Sequence, residues 1–281
     1  MNIITDAITQ FFVNLIHGIL QAISGPFNGL IPLLGNTPLA LTTANNVVEG
    51  TWMVMTGVAD ACLGLVVLLG ALQMLYGQTT GSLYIPLGQF VPKAVLTVIL
   101  IHLSQILGQD LILLNNTLCG LVRVNVANFI QQANGGQPLG AGNTVGLAFV
   151  LTIIATLSLI RVLFQAFKRI VLFDILFVLS GPAFLMSFHP LTAPWFSFWA
   201  RLFVVTIFTQ FFQFLGLGLG IQMIIDSHQT GVVGILLATA LFSLAAEIPR
   251  LLSRFSGAMD TSSRGLGSLL ATGMVIARLA R

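Results

Sequence analysis

Four polar side chains in the most apolar part of the chain are the ones whose types and spacing could serve a function. Residues 171–220 are almost entirely aliphatic and aromatic, yet they carry Asp174, Arg201, Gln210 and Gln213, which we call the polar seam. Such groups are costly in lipid, so they usually face other protein or a wet cavity. The seam could therefore serve transport or assembly, or it could hydrogen-bond among the protein's own helices.

Motifs for catalysis and for cofactor binding are missing from the sequence. It contains no GxxxxGK[ST] phosphate loop, no GxSxG nucleophile elbow and no HExxH zinc motif. His102 shares a helix face with Gln105 and Gln109, but no Cys, His or carboxylate cluster lies at metal-ligand spacing. Asp60 interrupts an apolar run and could take part in proton or ion transfer. We predict no enzyme activity, no metal and no cofactor.

The composition requires a membrane environment. Of the 281 residues, 56% are hydrophobic and only 7% are charged, whereas a soluble domain carries roughly 25% charged residues. Long apolar runs are typical of membrane helices, while a β-barrel would show short alternating segments. We therefore predict an all-α, polytopic membrane helix bundle with about five to six transmembrane helices, an N-terminal amphipathic helix and a basic C-terminal tail.

Three regions are expected along the chain. Residues 1–48 combine an amphipathic helix over about 3–24 with an extracytoplasmic loop rich in Gly, Pro and Asn. That helix is predicted to lie in the membrane interface, with a first packed span as the alternative. Residues 49–249 hold the transmembrane helices, and residues 250–281 form a cytoplasmic tail that carries five arginines.

Six apolar segments can be marked within the transmembrane region. They are segment a (51–76), b (94–113), c (144–167), d (170–188), e (196–224) and f (231–248). Gly181 and Pro182 are predicted to break the helix of segment d. Gly216 and Gly220 in segment e have the GxxxG spacing that lets two helices approach closely.

Positive charge favours five crossings over six. If all six segments cross, the basic cluster at 161–169 and the arginine tail lie on opposite faces, against the positive-inside rule. If segment d instead enters and returns to the same face, only Arg123 among the Lys and Arg side chains lies outside. The N-terminus is then extracytoplasmic and the C-terminus cytoplasmic. The six-crossing alternative stays open and would allow Asp174 and Arg201 to pair within the membrane.

An ordered set of motifs resembles one family of membrane proteins. The motifs are Pro92-Lys93-Ala94-Val95-Leu96, Asn115-Asn116-x-Leu118-Cys119, Asp174, Pro182-Ala183-Phe184, His189-Pro190-x-Thr192, Trp195-x-x-x-Trp199, Phe203, Gln210-x-x-Gln213 and Ala246-Glu247-Ile248-Pro249-Arg250-Leu251-Leu252. Over about residues 90–255, their order and spacing look like those of the TrbL-like conjugal-transfer membrane proteins. These are polytopic inner-membrane subunits of type IV secretion systems.

The resemblance implies a platform or channel component of a conjugation machine in the inner membrane. Such a subunit supports pilus or channel assembly and the transfer of a DNA–protein substrate. Its implied partners are the cytoplasmic ATPases, the other membrane subunits and the pilin, beside the lipid bilayer. The resemblance implies DNA only as the transported substrate. It does not decide whether the subunit forms a homo-oligomer. With this function, the polar seam would face sister subunits, pilin or substrate.

The alternative function is a self-contained channel or secondary transporter. It predicts an inverted internal repeat with paired broken helices near the midplane of the bilayer. The sequence shows one broken segment, d, and no convincing repeat.

Overall fold

The described part of the chain is a bundle of helices. The computed structural model describes residues 7–15, 18, 21–22, 33–80, 87–122, 145–189, 192–225, 233–252 and 254. Its main helices are α1 (Asn46–Thr80), α2 (Leu87–Leu121), α3 (Val145–Val178), α4 (Ser180–Met186), α5 (Ala193–Ile225) and α6 (Val233–Leu252). Residues 7–15 are also helical, and a short 3-10 helix, Leu39–Leu41, precedes α1. The predicted all-α membrane bundle is confirmed.

Four of the described helices are long and apolar enough to cross a membrane. They cover Asn46–Gly77 in α1, Phe90–Leu121 in α2, Ala193–Met223 in α5 and Val233–Leu252 in α6. These spans match the predicted segments a, b, e and f. The described part of the chain therefore belongs in a bilayer, which needs about 20 apolar residues for each crossing.

Predicted segments c and d do not meet at a helix boundary near residue 170. Instead, α3 continues through Lys168, Arg169 and Asp174 as far as Val178. The predicted boundary was placed at a run of charges, but charged side chains do not interrupt backbone hydrogen bonding. No Gly or Pro lies between residues 147 and 180 to do so. Segment c and the first half of segment d are one helix.

The end of α3 follows from Pro182. This proline has no N–H to donate to the carbonyl of Val178, and in a continuing helix its ring would clash with that carbonyl. The helix accordingly stops at Val178, and Pro182 lies in the first turn of α4 together with Gly181. The indole N–H of Trp199 donates to the carbonyl oxygen of Leu176 at 3.0 Å, which satisfies one acceptor in the last turn of α3.

Two apolar clusters hold the helices together. One joins α3, α5 and α6 through residues that include Val162, Leu217 and Phe242. The other joins α1, α2, α3 and α5 and contains Trp52 and Phe177, whose rings stack with centroids 6.1 Å apart. Lipid tails are as apolar as these side chains, so the clusters stabilise the bundle by close van der Waals packing rather than by escape from water.

Glycine permits the close approach of two helix pairs. A Cβ atom on Gly220 would lie 2.8 Å from Cδ1 of Phe242 and closer still to Cε1, and one on Gly216 would lie 3.2 Å from the Cβ of Ala245. Both predicted packing glycines thus lie where α5 meets α6. A Cβ atom on Gly108 of α2 would likewise lie 2.8 Å from the ring of Phe177 on α3. The sequence around Gly108 did not predict this contact.

Candidate functional site

A cluster of buried and half-buried polar side chains joins three helices to the segment before α1. Its members are Thr37 from that segment, Asn115 and Asn116 from α2, Arg169 from α3 and Gln210 from α5. We call these five residues the polar core. The exposed fraction is only 1% for Asn115, 4% for Gln210 and 9% for Arg169. Gln210 is the one member of the polar seam that belongs to it.

Thr37 is held by three helices at once. Its backbone N–H donates to Oδ1 of Asn116 at 2.9 Å, and its carbonyl accepts from Nδ2 of the same side chain at 3.0 Å. Its hydroxyl accepts from Nη2 of Arg169 at 2.7 Å and donates to Oε1 of Gln210 at 2.9 Å. Backbone outside a helix is tolerated in a membrane bundle only where protein or water satisfies it. Asn116 does this for Thr37.

Gln210 connects α5 to α2 and to Thr37. Its Oε1 also accepts from Nδ2 of Asn115 at 2.9 Å, and its Nε2 donates to Oδ1 of Asn116 at 3.3 Å. Both ends of the amide are therefore used within the chain. A leucine in its place would leave the Thr37 hydroxyl and the Asn115 amide without this acceptor.

Gln213 lies three residues further along α5 and belongs to a second set of contacts. Its Nε2 donates to Oε1 of Gln165 on α3 at 2.9 Å and lies 3.5 Å from the carbonyl oxygen of Ala245 on α6. Nε2 of Gln165 donates to the carbonyl of Ala246 at 2.8 Å. The carbonyl of Ala245 is the one that Pro249, which lacks an N–H, cannot bond. Gln213 thus supplies a donor where the helix of α6 has none.

The other two members of the polar seam, Asp174 and Arg201, lie at other positions on α3 and α5. Arg201 precedes Gln210 by nine residues, about 13 Å along α5 at the helical rise. Asp174 lies on α3, and its Oδ1 is buried and accepts no hydrogen bond from any described residue. The structure therefore places Gln210 and Gln213 in neighbouring contact sets, with Asp174 on α3 and Arg201 nearer the start of α5.

Arg169 is buried within the bundle, which its place in a basic cluster did not predict. The sequence predicts that cluster at the cytoplasmic membrane edge, and that position stays a prediction. The buried positions of α3 include Val162, Ala166, Ile170 and Phe173, at the spacing of one helix face. Arg169 lies on the same face as these residues. The periodicity of the apolar positions could therefore have predicted that its side chain is buried.

A small cavity lies beside Arg169. Its volume is about 20 Å³, and its polar lining includes Asn115, whose Oδ1 is buried and accepts no hydrogen bond from the described residues. In the described part of the chain, no Asp or Glu carboxylate lies within 4.0 Å of the Arg169 guanidinium. The described residues also contain no group of three or more His, Cys, Asp or Glu side chains that could hold a metal ion.

An ionisable pair lies on the outside of α1 and α2. Oδ2 of Asp60 is 3.5 Å from Nε2 of His102, and the two side chains are 42% and 57% exposed. Nδ1 of His102 lies 3.0 Å from the carbonyl oxygen of Val98. Asp60 and His102 both lie near the middle of apolar spans.

Comparison with known proteins does not assign either site. The chain matches no protein-family model, and neither a characterised protein nor a solved structure matches it. The resemblance found in the sequence therefore stays a prediction, and the functional conclusion rests on the contacts described above and on the order of the motifs.

Proposed function

We propose that the chain is an integral membrane subunit of a type IV secretion (conjugation) machine. In this role it forms part of the inner-membrane platform or channel, and it supports pilus or channel assembly and the transfer of a DNA–protein substrate. The observation that carries the proposal is the Asp60–His102 pair, because it lies on the outside of two apolar helices. In the proposed assembly, a helix of another subunit covers this polar pair.

Lipid cannot cover this pair without a large penalty. An aspartate at the centre of a membrane helix costs about 2.5–3.5 kcal/mol on insertion scales, and ionisable groups within the membrane almost always face protein or water. Gly57 and Gly64 lie near Asp60 on α1, and a Cβ atom added to either glycine would meet no atom within 4 Å. Small residues of this kind allow a helix of another subunit to approach closely.

The distribution of burial supports the same role. In the most apolar windows of α5 and α6, 44% and 33% of the residues are buried within the chain, against 12% in α1 and 17% in α2. The first two spans therefore form an outer wall of the bundle. Lipid can cover the apolar side chains of that wall, but Asp60 and His102 call for a protein partner.

The motifs of the resemblance support the choice of machine. Asn115 and Asn116 belong to one motif and bond to Gln210 of another. Gln213 reaches the carbonyl of Ala245, just before the motif that contains Pro249. Motifs that are far apart in sequence thus meet in one interior. The proposed partners are the secretion ATPases, other membrane subunits and pilin, with the N-terminus outside and the C-terminus in the cytoplasm.

Replacing Asp60 and His102 together by leucine is expected to reduce DNA transfer at least tenfold, because the variant loses the polar contact with its partner subunit. The variant keeps its fold because the two side chains project from the bundle. The measurement is complementation of a strain that lacks the gene, with the amount of variant in the membrane determined in parallel. The proposed role also requires that deletion itself abolishes transfer.

The matched control replaces Val58 and Ile99 by leucine, because both are exposed apolar residues of the same two helices. It should restore transfer fully. Full transfer by the Asp60, His102 variant would remove the observation on which the proposal rests. Flux of a solute into proteoliposomes that contain only this protein would favour the alternative, a self-contained channel or transporter.

A further inference from the structure

Arg169 carries a buried charge with too few partners. Its side chain is 9% exposed, and Nη2 donates to the hydroxyl of Thr37 at 2.7 Å. A guanidinium has five N–H donors and does not lose its charge in a protein. Among the described residues no carboxylate lies within 4.0 Å of it. A buried charge without a counterion is strongly unfavourable, so a group from outside these residues has to compensate it.

The cavity beside Arg169 limits what that group can be. Most of its wall is apolar or already hydrogen-bonded: Ile112, Ile170, Phe173 and Ile207 supply hydrocarbon, and the hydroxyl of Thr206 donates to the carbonyl of Leu202 on its own helix. A volume of about 20 Å³ holds a particle of about the size of one water molecule. A phosphate headgroup or a nucleotide is much too large for it.

We propose that the cavity binds one small monovalent anion of about the size of chloride, with Arg169 as its ligand. An anion balances the guanidinium charge, which a water molecule does not. Because Arg169 also holds Thr37, the bound anion stabilises the attachment of the segment before α1 to the bundle. Such a site does not depend on the proposed function.

The test is the melting temperature of the purified full-length protein in detergent as chloride replaces gluconate at constant ionic strength. Unfolding can be followed by the reaction of the buried Cys119 with a thiol-reactive dye, after the exposed Cys62 has been changed to serine. We expect a saturable rise of about 5 °C in chloride, as mass action predicts for a ligand that binds only the folded state.

Arg169→Met is expected to abolish the dependence on chloride, whereas Arg161→Met, at an exposed position of the same helix, should keep it. If Arg169→Met does not fold, Thr206→Asp serves instead. It places a carboxylate in the cavity without removing a hydrogen bond between helices. This variant should melt at the same temperature in both salts.

Two results would overturn the proposal. One is an equal melting temperature of the unsubstituted protein in chloride and in gluconate, which would mean that no chloride ion is bound beside Arg169. The other is a dependence on chloride that persists in Arg169→Met or in Thr206→Asp. Either result would show that the stabilising anion binds elsewhere or that none is bound.

Discussion

Replacing Gln210 and Gln213 together by leucine is expected to lower the free energy of unfolding by about 2–4 kcal/mol and to impair assembly or DNA transfer. Polar contacts between membrane helices contribute roughly 0.6–2 kcal/mol each. The double variant removes bonds from α5 to Thr37, Asn115 and Gln165. It also leaves buried donors without acceptors, which adds to the loss.

The measurement for this variant is thermal unfolding in detergent together with DNA transfer in a complementation assay. Its control replaces Val204 and Phe212 by leucine, because both are exposed apolar residues on the same helix. The control should retain stability and transfer. An unchanged melting temperature would contradict the structural role given to the two glutamines. Normal transfer by normally assembled machines would show that they have no part in the function.

Gly220→Ile is expected to destabilise the contact between α5 and α6 by about 3 kcal/mol, the upper end of the range for overpacking. Even a Cβ atom at this position would overlap the ring of Phe242, which is completely buried. The ring would have to leave its place in the apolar cluster, and α6 would move away from α5. The check is the melting temperature of the purified variant in detergent.

The control for this variant is Gly120→Ile, because a side chain at Gly120 meets no atom within 4 Å. It should melt close to the unsubstituted protein. Combining Gly220→Ile with Phe242→Ala should recover part of the lost stability, since the smaller side chain vacates the space that isoleucine needs. Equal melting temperatures for Gly220→Ile and Gly120→Ile would contradict the packing described here.

The spans could be predicted from the sequence because the bilayer imposes a simple requirement. Backbone groups in lipid must be satisfied within their own segment, so a long apolar run forms a helix. Segments a, b, e and f follow from this requirement, and they match spans in α1, α2, α5 and α6. The end of α3 was predictable as well, because the missing N–H of Pro182 acts locally.

The partners of the polar groups could not be predicted in the same way. Pro249 implies a carbonyl without a helical donor at Ala245, but nothing in the local sequence says that Gln213 lies beside it. Thr37 lies in a connection whose course depends on distant residues. The polar seam was predicted as one surface, yet its glutamines belong to two contact sets, because residues three apart on α5 face different neighbours.

Arg169 shows how two rules can compete for one residue. The positive-inside rule counts an arginine by its place along the chain and assigns it to a membrane edge. Helical periodicity assigns the same residue to the buried face of α3, and the structure follows periodicity. The positive-inside rule describes charges at the ends of spans, so it does not predict burial. Here α3 continues past the basic cluster for another nine residues, from 170 to 178. The five-crossing and six-crossing arrangements therefore stay predictions.

The most direct test of the central claim is purification of the tagged protein from its native membrane in mild detergent, with identification of the proteins that come with it. If the chain is a subunit of a type IV secretion machine, secretion ATPases or pilin should co-purify. Their amounts should fall when Asp60 and His102 are both replaced by leucine. A homo-oligomer free of such partners, under conditions that keep membrane complexes intact, would contradict the claim and favour a self-contained channel or transporter.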